Sequence, residues 1–280
     1  MASFDSGSSL SIQDIEDLYL ASNGSISGAD TDDREYTSIV EMWNYELADT
    51  NNKWYRSAYD YWEDESMCDI SDDGVLQGFG ALTPADTVGS NAFLDTLQNM
   101  IPELELGLVA DCGAGIGRVA KNLLLPRFQC VHLVEQSPRL LAAAPEYVGA
   151  EYKDKIVCIV QGLQDFDPAP QTYDVVWIQW VIGHLHDLDF IKFFRKCVQG
   201  LKQNGVIVLK DNTSGDQTFM VDKDDSSVSR SRNYIKLLTR LAGLEVIAEE
   251  QQAGFPEELF PVYMFAFVPV SANPIGDKEA

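Results

Sequence analysis

The stretch that decides the fold is "LGLVADCGAGIGRVA", residues 106–120. An apolar run ends at Asp111, glycines follow at 113, 115 and 117, and an amphipathic run then carries Ile116, Val119, Ala120, Leu123 and Leu124 at helical spacing. This is a buried strand turning through glycines into a helix. Such glycines let the backbone pass close to a ligand and bring the helix N-terminus toward it.

Working outward, the same alternation repeats. "VHLVE" is followed by a helix that Ser137 opens with Pro138 at its first position; then come "IVCIV", "YDVVWIQWV", a helix from Asp187 to Leu201, and "GVIVLKD". A helix near 229–242 precedes "LEVIAEEQ" and "FPVYMFAFVPV", which read as an antiparallel hairpin at one sheet edge. Continuous Val/Ile/Leu strands alternating with helices predict a parallel sheet covered on both faces. The expected fold is therefore α/β and Rossmann-like: a seven-stranded, mostly parallel sheet with a C-terminal antiparallel hairpin and an N-terminal helical cap.

The rest of the chain bounds the alternatives. At 280 residues and 45% hydrophobic composition the chain can bury a substantial core. Residues 1–50 hold eleven Asp or Glu against a single base, Arg34, and are expected to be an acidic, flexible extension. Residues 51–105, dense in aromatics and then in turn residues, are read as the helical cap and a lid loop, 106–270 as the main domain and 271–280 as a flexible tail. No apolar run approaches the roughly 18 residues of a membrane span, and the N-terminus lacks the pattern of a signal peptide, so a soluble intracellular protein is expected. Five cysteines without paired spacing argue against disulfides and zinc. A net charge of −24 excludes an electrostatic grip on nucleic acid and favours a cationic partner.

The glycine loop also restricts the ligand. A dinucleotide fingerprint would want glycine at 118, where this chain has Arg118, and a pyrophosphate would not welcome Asp111 beside the loop. Glu135 closes the second strand, 22 residues after Gly113, where an acid can accept two ribose hydroxyls. "GLQDF", residues 162–166, is placed to border an adenine through backbone groups and Gln164, with Asp165 as a further candidate. A ribose with a cationic amino-acid tail fits this set, which points to S-adenosylmethionine and a class I methyltransferase. "WIQWVIGHLHD", residues 177–187, then sets Gln179, Trp180 and His184 just where a core strand ends, bordering the reaction.

A narrower resemblance runs from about Trp54 to Phe267. "DCGAGIGRVAKNLLLPRF", "GLQDFDPAPQTYDVVWIQWVIGHLHD", "NGVIVLKDN" and "DSSVSRS", with "YDYW" and "DGVLQGFG" in the cap, resemble the eukaryotic protein N-terminal methyltransferases, which methylate the α-amine of proteins beginning Xaa-Pro-Lys. The resemblance implies that Gly113, Arg118, Glu135, Leu163, Gln164 and Gln179 bind the cofactor and that Trp62 closes over it. It further implies that Leu76 and Leu82 line a peptide channel, that Trp180 packs on the substrate proline and that Asn212 holds the first residue's backbone. Asp222 and Ser227 would receive the lysine ammonium, and His184 and Asp225 would be proton acceptors. Glu135 replaces an aspartate, Phe260 a tyrosine and Gln77 a glycine. One extra residue between Asn212 and Asp222 leaves Asp222, Lys223 and Asp224 interchangeable in alignment. The partners implied are protein substrates with a free Xaa-Pro-Lys terminus, neither nucleic acid nor membrane, for a monomer resident in cytoplasm and nucleus. Two other readings stay open: a class I methyltransferase acting on a small-molecule amine or a side chain, and a non-catalytic binding subunit that keeps the fold.

Overall fold

The computed structural model describes residues 10–48 and 53–270. The first of these segments overturns the expectation of a flexible extension. Ser11 caps α1 (Ile12–Asn23) through a reciprocal box with Asp14, and Ser38 caps α2 (Ile39–Glu46). Between them β1 (Ser27–Asp30) and β2 (Glu35–Tyr36) form a hairpin. Ile15, Tyr19, Ile26, Tyr36, Ile39, Met42 and Trp43 are all buried in the core shared with the main sheet. Each contributes about 1.5–3 kcal/mol. The segment's acidic composition is real, but its apolar residues borrow a core built by the rest of the chain. Residues 1–9, 49–52 and the expected tail at 271–280 lie outside the described residues.

After α3 (Lys53–Glu63), α4 (Asp72–Val75) and a 3₁₀ turn at Gly80–Leu82 comes α5 (Thr83–Met100), with Pro84 in its first turn. Phe93, Leu94 and Leu97 of this helix pack in one core with Val109, Val175, Trp177 and Val208 of the sheet. The cap therefore ends before Thr83, short of the expected boundary at 105.

The main sheet follows the predicted alternation. Its strands are β3 (Leu108–Cys112), β4 (Cys130–Glu135), β5 (Ile156–Val160), β6 (Tyr173–Gln179) and β7 (Leu201–Asn212). A helical stretch with a π-turn at Ala120–Leu124 runs into α6 (Leu125–Arg127), and α7 (Pro138–Val148) and α8 (Asp187–Gly200) complete the crossovers. The hairpin β8 (Thr218–Asp222) and β9 (Ser227–Arg230), absent from the sequence expectation, precedes α9 (Arg232–Leu241). Then β10 (Leu244–Gln251) and β11 (Val262–Pro269) close the chain. The order is β10-β11-β7-β6-β3-β4-β5, with β3 to β7 parallel and β11 antiparallel to both β7 and β10. All seven residues of β6 are buried, as a central strand covered on both faces requires. The chain reverses direction across the sheet between β3 and β6, which is where such folds open a crevice for ligand.

A second sheet, β2-β1-β8-β9, joins the N-terminal segment to the β8–β9 hairpin. Buried Asp187 locks this layer to the main domain. Its carboxylate accepts from Trp43 Nε1 at 2.9 Å and from Arg230 Nη2 at 2.9 Å, and it also bonds the Tyr234 hydroxyl. An acid buried to this degree is tolerable only when its lone pairs are filled in this way.

Candidate active site

A cleft opens at the carboxyl ends of β3, β4 and β6. Gly113, Arg118, Glu135, Leu163, Gln164, Gln179 and Trp62, the residues expected to hold the cofactor, all line it. Gly113 has φ +74°, and a Cβ there would lie 2.6 Å from the Val181 side chain, so the turn admits only glycine. Glu135 accepts from the Gly115 N–H at 2.9 Å and the Ser137 N–H at 2.8 Å. Burial raises this carboxyl above its usual range, and those N–H groups pull against the rise. Two expectations fail. Asp111 does not border the cleft; it is buried behind the loop, where desolvation pushes its carboxyl up to about 7 against the pull of Arg118. Asp165 also lies outside the lining residues, and Gln161 takes a place beside Gln164 instead.

Behind this cleft sits a charged network that sequence reasoning missed. Asp86, in the first turn of α5, accepts from Arg118 Nη1 at 2.8 Å and from Gln179 Nε2 at 2.8 and 2.9 Å, and it pairs with Lys210 Nζ at 2.5 Å. Trp177 Nε1 donates to Gln179 Oε1 at 3.0 Å, so the Gln179 amide is spent on positioning. Two cationic side chains thus share one carboxylate, and Arg118 keeps further N–H donors for the cleft. A carboxylate on the ligand would balance the charge. Desolvation holds the Lys210 ammonium below its usual range, with Asp86 opposing. The site's donors therefore fit S-adenosylmethionine: a cation for its carboxylate, an acid for its ribose, and apolar walls at Val134, Leu140 and Leu163 for its base.

A second cleft meets the first at Trp62, Val75, Trp180, Val181 and His184, which line both. Leu76, Leu82, Asn212, Asp222, Asp225 and Ser227 line it, as do Gln77, Phe255, Phe260 and Thr31. Trp180 is the partition. Its backbone adopts φ +51°, a strained conformation for a bulky residue that costs of order 1–3 kcal/mol. Its N–H donates to the Lys210 carbonyl at 3.0 Å and its indole N–H to Asn212 Oδ1 at 3.2 Å. The Arg118 guanidinium lies 5.3 Å from the Trp180 ring, and the Phe255 ring stacks at 6.3 Å. Asn212 thereby has its amide oxygen engaged and its NH₂ free for a substrate carbonyl.

Of residues 222–224, at the end of β8 and in the turn after it, one lines the cleft. Asp222 lines the cleft opposite Ser227 across the strand pair, Lys223 points to Glu46, and Asp224 is exposed outside it. Burial, then the charge of Asp225, hold the Asp222 carboxyl above its usual range. Asp225 is itself buried; its Oδ2 accepts from Gln77 Nε2 at 3.4 Å, and its Oδ1 has no partner among the described residues. Asp211, not anticipated, lines the same cleft, and burial pushes its carboxyl up to about 6. Among the described residues no Lys or Arg lines this cleft. His184 accepts the Trp62 indole N–H on Nε2 at 3.1 Å and lies 3.1 Å from the Ser226 carbonyl through Nδ1, which sets a neutral ring with its proton on Nδ1. Trp62 is held in turn by Arg139, whose guanidinium donates to the carbonyls of Trp62, Glu63 and Cys68 at 2.9, 2.9 and 2.7 Å.

Comparison with known proteins agrees with this geometry. Residues 50–268 match the family described as AdoMet dependent proline di-methyltransferase. Alpha N-terminal protein methyltransferase 1 of Dictyostelium discoideum is 42% identical over 86% of this chain and 90% of that protein. N-terminal Xaa-Pro-Lys N-methyltransferase 1 of Mus musculus is 40% identical over 79% of this chain and 98% of its own. The solved structure of a SAM-dependent methyltransferase from Leishmania major, 36% identical, aligns with a TM-score of 0.78 over 87% of this chain and 96% of that one. With a family match over residues 50–268 and relatives at 40–42% identity over most of its length, the chain belongs to the family of S-adenosylmethionine-dependent α-N-terminal protein methyltransferases.

Proposed function

We infer that this protein transfers methyl groups from S-adenosylmethionine to the α-amino group of proteins that begin Xaa-Pro-Lys. The observation that carries the reading is the second cleft, which Asp211, Asp222 and Asp225 line with no Lys or Arg beside them among the described residues. Such a site calls for a cationic guest, and it opens onto the cofactor cleft beside Trp180 and His184.

The bound cofactor supplies an electrophilic methyl carbon on a sulfonium. An attacking amine needs its lone pair, and an α-ammonium titrates near about 7.7–8.0, so the protein has one proton to accept. The carboxylate of Asp225, which lines this cleft, is suited to take it. His184 has its Nε2 lone pair engaged by Trp62, so its part is to hold the lid until that bond opens. Trp180 offers its face to the substrate proline, Asn212 its NH₂ to the first residue's carbonyl, and Asp222 with Ser227 the seat for the lysine ammonium. Leu76 and Leu82 supply the apolar wall. What these groups supply is orientation of the nitrogen, which for well-placed reactants reaches about 7–11 kcal/mol. Residence in cytoplasm and nucleus, and a monomeric state, belong to the same proposal and rest on the family resemblance.

Mass spectrometry of a Ser-Pro-Lys peptide incubated with protein and cofactor, beside its N-acetylated copy, tests the reading. One-methyl mass steps on the free-amine peptide alone are expected. Steps on both peptides would place the reaction on a side chain.

A further inference from the structure

The turn that carries the acidic pocket also carries a competitor for it. Lys223 follows Asp222 directly and stands two residues before Asp225, so its flexible side chain is tethered beside the carboxylates proposed to seat the substrate lysine. Every group that directs it elsewhere belongs to the N-terminal segment. The Lys223 ammonium pairs with Glu46 of α2, whose side chain is only 4% exposed, and lies 5.4 Å from the Tyr45 ring centroid. Its backbone N–H donates to Thr31 Oγ1 at 3.0 Å. Glu46 is fixed by the Tyr36 hydroxyl at 2.7 Å, and α2 is anchored through Trp43 on Asp187. β1 lies parallel to β8 with Asp30 opposite Val221, which brings these groups alongside the turn. This segment precedes the part of the chain that matches the family, which begins at residue 50.

We propose that residues 10–48 act as a restraint that keeps the enzyme's own Lys223 out of the lysine pocket, with Glu46 as the specificity-determining residue. The proposal rests on the reading of Asp222 and Asp225 as that pocket. A tethered ammonium competes at an effective concentration that reaches the millimolar range, enough to rival a peptide substrate. Held on Glu46, it leaves the pocket to the substrate.

The test compares wild type, Glu46→Gln, Lys223→Ala and the double variant on Ser-Pro-Lys and Ser-Pro-Gln peptides, with cofactor affinity measured by calorimetry as the check on folding. Glutamine at 46 keeps an acceptor for Tyr36. Expected for Glu46→Gln is a rise in KM for the lysine peptide of about fivefold or more, with kcat, cofactor Kd and KM for the glutamine peptide unchanged. Adding Lys223→Ala should restore the wild-type KM. An unchanged KM in Glu46→Gln, or a raised one that Lys223→Ala does not restore, overturns the restraint. Equal KM values for the two peptides in the wild type would instead remove the pocket reading itself, and the restraint with it.

Discussion

The two clefts share Trp62, Trp180 and His184 but are assembled differently. The cofactor cleft is made from the turns that follow β3, β4, β5 and β6, and its charges are partnered: Glu135 by backbone N–H groups, Arg118 by Asp86. The second cleft draws on Thr31, the loop at 75–82, the end of β7, the β8–β9 turn and the loop before β11, and two of its acids, Asp211 and Asp225, each keep an oxygen without a partner among the described residues. In the first cleft Arg118 keeps donors that a ligand carboxylate would fill, whereas in the second the surplus is of carboxylates, which favours a cation. The first cleft should therefore respond to substitution in cofactor affinity and the second in turnover and peptide KM, with little exchange across Trp180.

The largest effect that would sharpen this contrast is in Asp225→Asn. Removing the proton acceptor should lower kcat by about 10²–10⁴-fold in steady-state assays, and full activity would take Asp225 out of the chemistry. On the other side of the wall, Glu135→Gln should weaken cofactor binding by about 10–100-fold in calorimetry, as loss of hydrogen bonds to a charged acceptor does, while leaving peptide KM at saturating cofactor unchanged. A parallel loss of peptide affinity would show the clefts to be one site.

A third expectation concerns pH. Because the Asp222 carboxyl is held above its usual range, it takes up a proton at higher pH than an ordinary aspartate. KM for a lysine peptide should therefore begin to rise on acidification at a pH where an ordinary aspartate is still charged. Asp222→Asn should raise that KM by about tenfold and remove this part of the pH profile. A glutamine peptide should show neither effect. The smallest effect is at Gln77, which sits at φ +49° and bonds the Tyr61 hydroxyl at 3.0 Å as well as Asp225. Gln77→Gly frees that carboxylate and relieves the backbone at the expense of chain entropy, so kcat should move by less than about threefold.

The same contrast explains what could be read in the sequence. The parallel sheet, its caps and the glycine turn of the first cleft were legible because each is a local pattern: an apolar run, a glycine turn, Ser137 before Pro138. Asp222, Asp225 and Ser227 of the second cleft came through resemblance alone, since nothing near "DKDDSS" distinguishes a solvated turn from a binding site. Residues 10–48 were misread because their burial depends on partners far along the chain; β1 pairs with β8, and Tyr19 meets Tyr234 with ring centroids 5.8 Å apart. Composition cannot report such pairing. Asp86 escaped notice for a related reason: at the start of α5 it reads as an ordinary first-turn acid, and only the fold brings it onto Arg118, Gln179 and Lys210.

The most direct test of the division between the clefts is the calorimetric cofactor Kd of Asp225→Asn, measured on the same preparation that yields its kcat. A Kd within about twofold of wild type, beside a kcat reduced by two orders of magnitude or more, is the result predicted for an acid that acts only on the substrate side. A Kd that weakens in step with kcat would contradict it.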